Sequence, residues 1–132
     1  MLQFDKHNFT PESEHDAPID RDELLKRCLG EADFALSIVE QFLDNWNRDY
    51  RQLEDTVAER LSTNNPLPLK QTAHRLRGTA ATIAAKNLAH KLGQLEASVA
   101  MDDVAFYRHA LEELNHEVKR VSRFASESLS HS

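Results

Sequence analysis

Residues 31–61 read EADFALSIVEQFLDNWNRDYRQLEDTVAERL, and their apolar members return every three or four positions: Ala35, Val39, Phe42, Trp46, Tyr50, Leu53, Val57 and Leu61. A half-buried strand would alternate every second residue, whereas this spacing follows the turn of an α-helix. Neither Gly nor Pro interrupts the stretch. It is one long amphipathic helix, near Glu31 to Leu61, with a stripe that must be buried against other elements.

The same period recurs on either side. Upstream, Asp20 and Glu23 have capping-box spacing, with Asp where Ser or Thr is more usual. Leu24, Leu25, Cys28 and Leu29 then give a short apolar face before Gly30 ends a first helix. Downstream, Ser62 to Pro66 form a loop, and from about Leu69 a third helix sets Leu69, Ala73, Leu76, Ala80 and Ile83 on one face. The pattern weakens around Ala84 to Asn87. A fourth helix carries Leu88, Leu92, Leu95 and Val99, and Met101 to Asp103 form a turn whose Asp can cap a fifth. That last helix runs to about Ser128 on Val104, Tyr107, Leu111, Leu114, Val118, Val121 and Ala125. Four substantial helices on short loops predict an all-α fold, an antiparallel four-helix bundle with a short accessory N-terminal helix. Residues 1–18, polar and without an apolar period, read as a flexible lead-in to a single bundle domain over 19–132.

Composition agrees. Three Gly and four Pro among 132 residues are about 5% of the chain, against roughly 12% in an average protein. A β-sandwich or barrel needs more turns than that supply allows. One domain of this length has no room for a nucleotide-binding catalytic fold beside the bundle, so a self-contained ATP-using enzyme is not expected. No apolar run approaches a membrane span and the N-terminal stretch is charged, so neither membrane insertion nor export is expected. The single cysteine, Cys28, cannot pair within the chain and reads as a small buried apolar residue in a protein of the reducing cytoplasm. A net charge of −6 disfavours nucleic acid as a partner.

That charge is unevenly placed. From Pro66 to Leu95 there is no Asp or Glu, while Lys70, Arg75, Arg77, Lys86 and Lys91 give the window +5, leaving −11 for the remainder. An acidic partner surface is the physical use of such a patch, set against a merely solvated basic face.

The side of the third helix opposite its apolar face carries Lys70, Gln71, His74, Arg77, Gly78 and Ala81, since positions three and four apart share a face. Gly78 sits mid-helix, where Gly costs about 1 kcal/mol relative to Ala. Close approach by another protein explains it: with no side chain at 78 and only a methyl at 81, a partner can reach the imidazole of His74. Arg77 then supplies a fixed positive charge suited to phosphoryl oxygens. Gly93, also inside a predicted helix, has no assigned role beyond close packing.

The stretch His74-Arg-Leu-Arg-Gly78-Thr-Ala-Ala-Thr-Ile-Ala-Ala-Lys-Asn-Leu88, followed by Leu95-Glu96, resembles the signature of histidine phosphotransfer (HPt) domains: His-x-x-Lys-Gly, small residues, a Gly near the helix end, a Leu, and a later Leu-Glu pair. The resemblance extends over the order of helices. Arg77 stands where the family has Lys, which keeps the charge, and Ala84 stands where it has Gly, which bears on where the third helix ends.

The resemblance implies a phosphorelay intermediate. His74 would accept a phosphoryl group from a receiver-domain phospho-aspartate and pass it to the aspartate of another receiver. Lys70 and Gln71 would touch the phosphoryl group or the partner, and Glu96 would accept a hydrogen bond from the ring nitrogen that is not phosphorylated. The expected partners are response-regulator receivers and a sensor or hybrid histidine kinase. The chain would be a monomeric carrier with no kinase activity and no cofactor of its own, the magnesium ion coming from the receiver. Two other readings stand beside this one: a module that binds receivers without being phosphorylated, and a domain of a hybrid histidine kinase. A dimerising kinase helix fits poorly, since Arg-Leu-Arg-Gly follows His74. A di-iron site fits no better, because the spacing Glu113-x-x-His116 is matched only by Glu12-x-x-His15 in the lead-in, and His116 lies off the apolar face. His90 and His109 read as surface residues.

Overall fold

The structure, a computed structural model, describes residues 17–129; the lead-in, apart from its last two residues, lies outside them. Five α-helices follow in order, α1 (Arg21–Arg27), α2 (Ala32–Thr63), α3 (Leu67–Thr82), α4 (Lys86–Ala97) and α5 (Val104–Phe124), with a short π-helical turn over Ala125–Leu129. No strand occurs among the described residues.

Helices α2 to α5 form the antiparallel bundle, and the direction of each neighbour shows in paired contacts. His74 of α3 meets Glu96 of α4, while Arg77, further along α3, lies over Gly93, earlier on α4. Between α4 and α5, Lys91 pairs with Glu113, and the Ser98 carbonyl after α4 meets the Tyr107 hydroxyl near the start of α5. The apolar stripes meet along the axis: Leu53, Leu76, Leu92 and Leu114 are buried, as are Val39 and Val121.

The core is less purely apolar than the periodicity suggests. Asp49, Thr56 and Arg60 are buried on the stripe of α2. Each is satisfied, as burial of a polar group requires. The Asp49 carboxylate faces Arg75 of α3 at 3.4 Å, and the Thr56 hydroxyl donates to the Leu53 carbonyl at 2.9 Å. Arg60 donates to the carbonyls of Val99 and Ala100 and to the Asn64 side chain, which ties the end of α2 to the loop before α5. Trp46 joins the bundle from within, its indole N–H donating to Asn115 of α5 at 2.8 Å.

Helix ends follow local chemistry. Asp20 accepts from the Glu23 backbone N–H at 3.0 Å, and Asp103 accepts from that of Ala105 at 2.9 Å, so both acidic N-caps form as read. At α1 the stop differs from the expectation. Leu29 takes the left-handed conformation with φ of 57°, followed by Gly30 at 79°, and their N–H groups bond back to Lys26 and Leu25. This is a Schellman end with Leu at the position glycine usually holds. Leu29 therefore leaves the helical period and is 90% exposed rather than part of the apolar face of α1. Val104 is also outside the core, 55% exposed, because it opens α5 where the loop after Ala97 replaces helix packing.

The end of α3 repeats the motif and settles the role of residue 84. Ala84 N–H bonds to the Ala81 carbonyl and Ala85 N–H to that of Ala80, both at 3.0 Å, and Ala84 itself has φ of 59°. Alanine is adopting the conformation for which glycine is suited. Its neighbours hold it there. The Ala84 carbonyl accepts from the Asp20 N–H at 2.9 Å, and its methyl is buried.

Candidate functional site

All six residues assigned to the outer face of α3, Lys70, Gln71, His74, Arg77, Gly78 and Ala81, are exposed. The helix places them there because Leu69, Ala73, Leu76 and Ala80 are buried on the opposite face. A Cβ added at Gly78 would meet nothing within 4 Å, so this glycine is open to solvent and not packed.

Three side chains converge. The Nδ1 of His74, whose side chain is 63% exposed, lies 2.9 Å from Oε2 of Glu96, whose side chain is only 16% exposed. Nη1 of Arg77 is 3.4 Å from Oε1 of Glu96, and its Nη2 is 3.3 Å from His74 Nδ1. Only one ring tautomer suits this arrangement. A carboxylate at hydrogen-bond distance is an acceptor, so the proton belongs on Nδ1, and Arg77, also a donor, is then a charged neighbour of that nitrogen rather than its hydrogen-bond partner. In the neutral ring the lone pair then lies on Nε2. Glu96 Oε1 is buried and has no hydrogen-bond partner among the described residues, which leaves Arg77 as its counter-charge.

A shallow groove of about 450 Å³ opens beyond Arg77 towards the end of α3, lined by the small residues Gly78, Ala81, Ala84 and Ala89 and by Arg27, Arg77, Lys86 and His90. Arg27 was not singled out in the sequence. It comes from α1 and donates to the carbonyls of Ala81 and Thr82 at 2.6 and 3.2 Å. A cation on the last carbonyls of a helix complements their negative dipole end. No local signal in α1 announces that contact, which depends on how α1 docks.

The basic window is also changed by folding. Arg75 pairs with Asp49, Arg77 with Glu96, Lys86 with Asp20 and Glu23, and Lys91 with Glu113. Acids supplied by other helices thus offset four of the five charges. Among the described residues Lys70 has no ion-pair partner. The surplus positive charge around His74 is smaller than the sequence window alone implies.

His109 and His116 are exposed, and no group of His, Cys, Asp or Glu suited to holding a metal occurs among the described residues. Cys28 is buried. No helix among the described residues is long and apolar enough to cross a membrane.

The all-helical bundle thus carries an exposed histidine on its third helix, in contact with a carboxylate from the fourth. The Hpt domain family matches residues 37–124, from within α2 to the last residue of α5, and the chain belongs to that family. Its role is thereby one of phosphotransfer in two-component systems, with receiver domains and kinases as the interacting classes; domains of this family are phosphocarriers rather than kinases. Neither curated proteins nor solved structures give a match to the chain.

Proposed function

We propose that His74 is the phospho-acceptor of a phosphorelay intermediate, taking the phosphoryl group from the phospho-aspartate of one receiver and passing it to the aspartate of another. The observation that carries this reading is the His74–Glu96 contact of 2.9 Å on an otherwise exposed imidazole. The Nε2 lone pair attacks the phosphorus of the aspartyl phosphate, and the N–P bond forms as the bond from phosphorus to the aspartate oxygen breaks. The aspartate leaves as a carboxylate. The ring, protonated on Nδ1 and phosphorylated on Nε2, then carries a positive charge that the Glu96 carboxylate offsets. Arg77 is near enough to turn towards the phosphoryl oxygens, where charge collects in a loose transition state. Transfer to the second receiver runs the same step backwards.

In this reading Gly78 and Ala81 keep the approach to His74 clear, and Lys70 and Gln71, one turn before it, meet the partner or the phosphoryl group. The receiver supplies the magnesium ion, and the carrier works as a cytoplasmic monomer with residues 19–132 as its domain. The test is transfer from a phosphorylated receiver. Wild type should gain an acid-labile label, His74→Gln should gain none while keeping its helical circular dichroism, and ATP with magnesium alone should label neither. Label persisting in His74→Gln would overturn the assignment; a wild type that binds the receiver but stays unlabelled would leave only a docking module.

A further inference from the structure

Gly93 lies inside α4, three residues before Glu96 on the same face. Glycine is the poorest helix former after proline, so its presence mid-helix calls for a local reason. A Cβ built there would meet Cδ of Arg77 at 3.3 Å and Nη1 of Arg77 at 3.7 Å. Every close neighbour of that Cβ position thus belongs to one side chain. Arg77 leaves α3, lies across α4 at Gly93, and ends with its guanidinium 3.4 Å from Glu96 Oε1 and 3.3 Å from His74 Nδ1.

We propose that Gly93 is a positioning residue: the missing side chain at this point of α4 forms the seat for the stem of Arg77 and so holds the guanidinium between Glu96 and His74. The significance of the seat for phosphotransfer rests on His74 being the acceptor, but the seat itself does not. Without it the stem is lifted away from α4, the contact with Glu96 lengthens, and the charge beside the imidazole moves. An arginine held in place loses less freedom when it engages phosphoryl oxygens than one drawn from solvent. The smaller helix–helix separation that a glycine permits is not the point here, since no backbone atom of α3 lies within 4 Å of the Cβ position.

A double-mutant cycle isolates the effect. The four proteins are wild type, Gly93→Ala, Arg77→Ala and the double variant, with Gly93→Leu as a larger probe. The first readout is the set of ring 15N and 1H resonances of His74, which needs no phosphoryl donor. Gly93→Ala should move them in the wild-type background, Gly93→Leu should move them further, and Gly93→Ala should leave them in place once Arg77 is Ala. The second is the half-life of phosphohistidine after charging with phosphoramidate. Gly93→Ala should change it at least twofold in the same direction as Arg77→Ala and by less than twofold in the double variant. Thermal melts check folding: Gly93→Ala should raise the midpoint by about 4 °C with Ala at 77, and by less with Arg there. Unmoved His74 resonances in Gly93→Ala, or equal movement in both backgrounds, overturns the proposal. Absence of any charging on wild-type His74 would instead overturn the acceptor assignment, and the resonance arm would still decide the seat.

Discussion

Glu96 holds the imidazole of His74 through a 2.9 Å contact between Oε2 and Nδ1, two atoms from residues 22 positions apart on successive helices. The carboxylate sits at the edge of the core and the imidazole in solvent, so the acid is the less mobile partner and sets the ring's orientation. With the proton on Nδ1, the phosphoryl group should be found on Nε2. A charged hydrogen bond is worth about 1.5–3 kcal/mol, and at this partly exposed position the low end applies, about tenfold in rate. Glu96→Ala should therefore slow phosphoryl acceptance about tenfold, with Glu96→Gln in between because an amide oxygen still accepts. Phosphohistidine isomer analysis by NMR and single-turnover transfer kinetics check both; a phosphoryl group on Nδ1 would contradict the orientation.

Gly78 offers a separation of stability from docking. Its Cβ position is empty of neighbours within 4 Å, and replacing Gly by Ala inside a helix stabilises by about 1 kcal/mol. Gly78→Ala should raise the denaturation midpoint, and Gly78→Gln should fold normally yet transfer poorly because its bulk meets the partner. Chemical denaturation paired with receiver-transfer rates gives the comparison. Unchanged transfer in Gly78→Gln would place the docking face elsewhere.

At Ala84 two opposing effects nearly cancel. Its left-handed φ of 59° costs about 1 kcal/mol for a residue with a Cβ, while its buried methyl contributes about 0.8 kcal/mol. Ala84→Gly removes both, and the freer unfolded chain subtracts some tenths more. The expected change is within about 1 kcal/mol of zero. A β-branched side chain is far less tolerant of positive φ, so Ala84→Val should destabilise by about 2 kcal/mol or more. Urea titrations of the two variants measure the contrast.

The Asp20 carboxyl is held below the usual carboxylate range, first by the Glu23 backbone N–H and then by the Lys86 ammonium. Lys86 is correspondingly raised by its hydrogen bond to Asp20. A depressed folded-state acid stabilises above its unfolded value, near 3.8, and loses that contribution as the pH falls through the folded value. A raised ammonium acts in the other direction, its share persisting until the pH rises through its folded value. Asp20→Ala should thus cost about 1 kcal/mol, the usual worth of an N-cap, over the neutral range. The difference from wild type should shrink below about pH 4 and survive mostly intact in alkali, because the backbone N–H is the larger partner. Thermal melts across pH resolve it. A difference that disappears first at high pH would make Lys86 the main partner.

Much of the fold is legible in the chain because burial leaves a period. The stripe from Ala35 to Val57 on α2, with those of α3 to α5, specifies four helices that must share a core, and Asp20 and Asp103 mark two starts by their chemistry. The period fails where the chain leaves the helix. Leu29 and Val104 look like core by spacing but lie at a left-handed turn and a helix start. It also hides polar burial: Asp49 is met by a cation of α3, Arg60 by carbonyls of the loop before α5, and Thr56 by a carbonyl of its own helix.

For the site, the sequence by itself determined which face of α3 is outward, and hence that His74, Arg77 and Gly78 stand together in solvent. Neighbours three and four apart on one helix are set by helical geometry alone. What crosses between helices was decided by tertiary structure. The contact of Glu96 with the imidazole, which the family signature implied but helical geometry does not, the lie of Arg77 over Gly93, the arrival of Arg27 at the end of α3 and the pairing of most of the basic window with distant acids all depend on helix register and separation. Those follow from how whole side-chain surfaces interlock, and no local stretch of sequence carries that information.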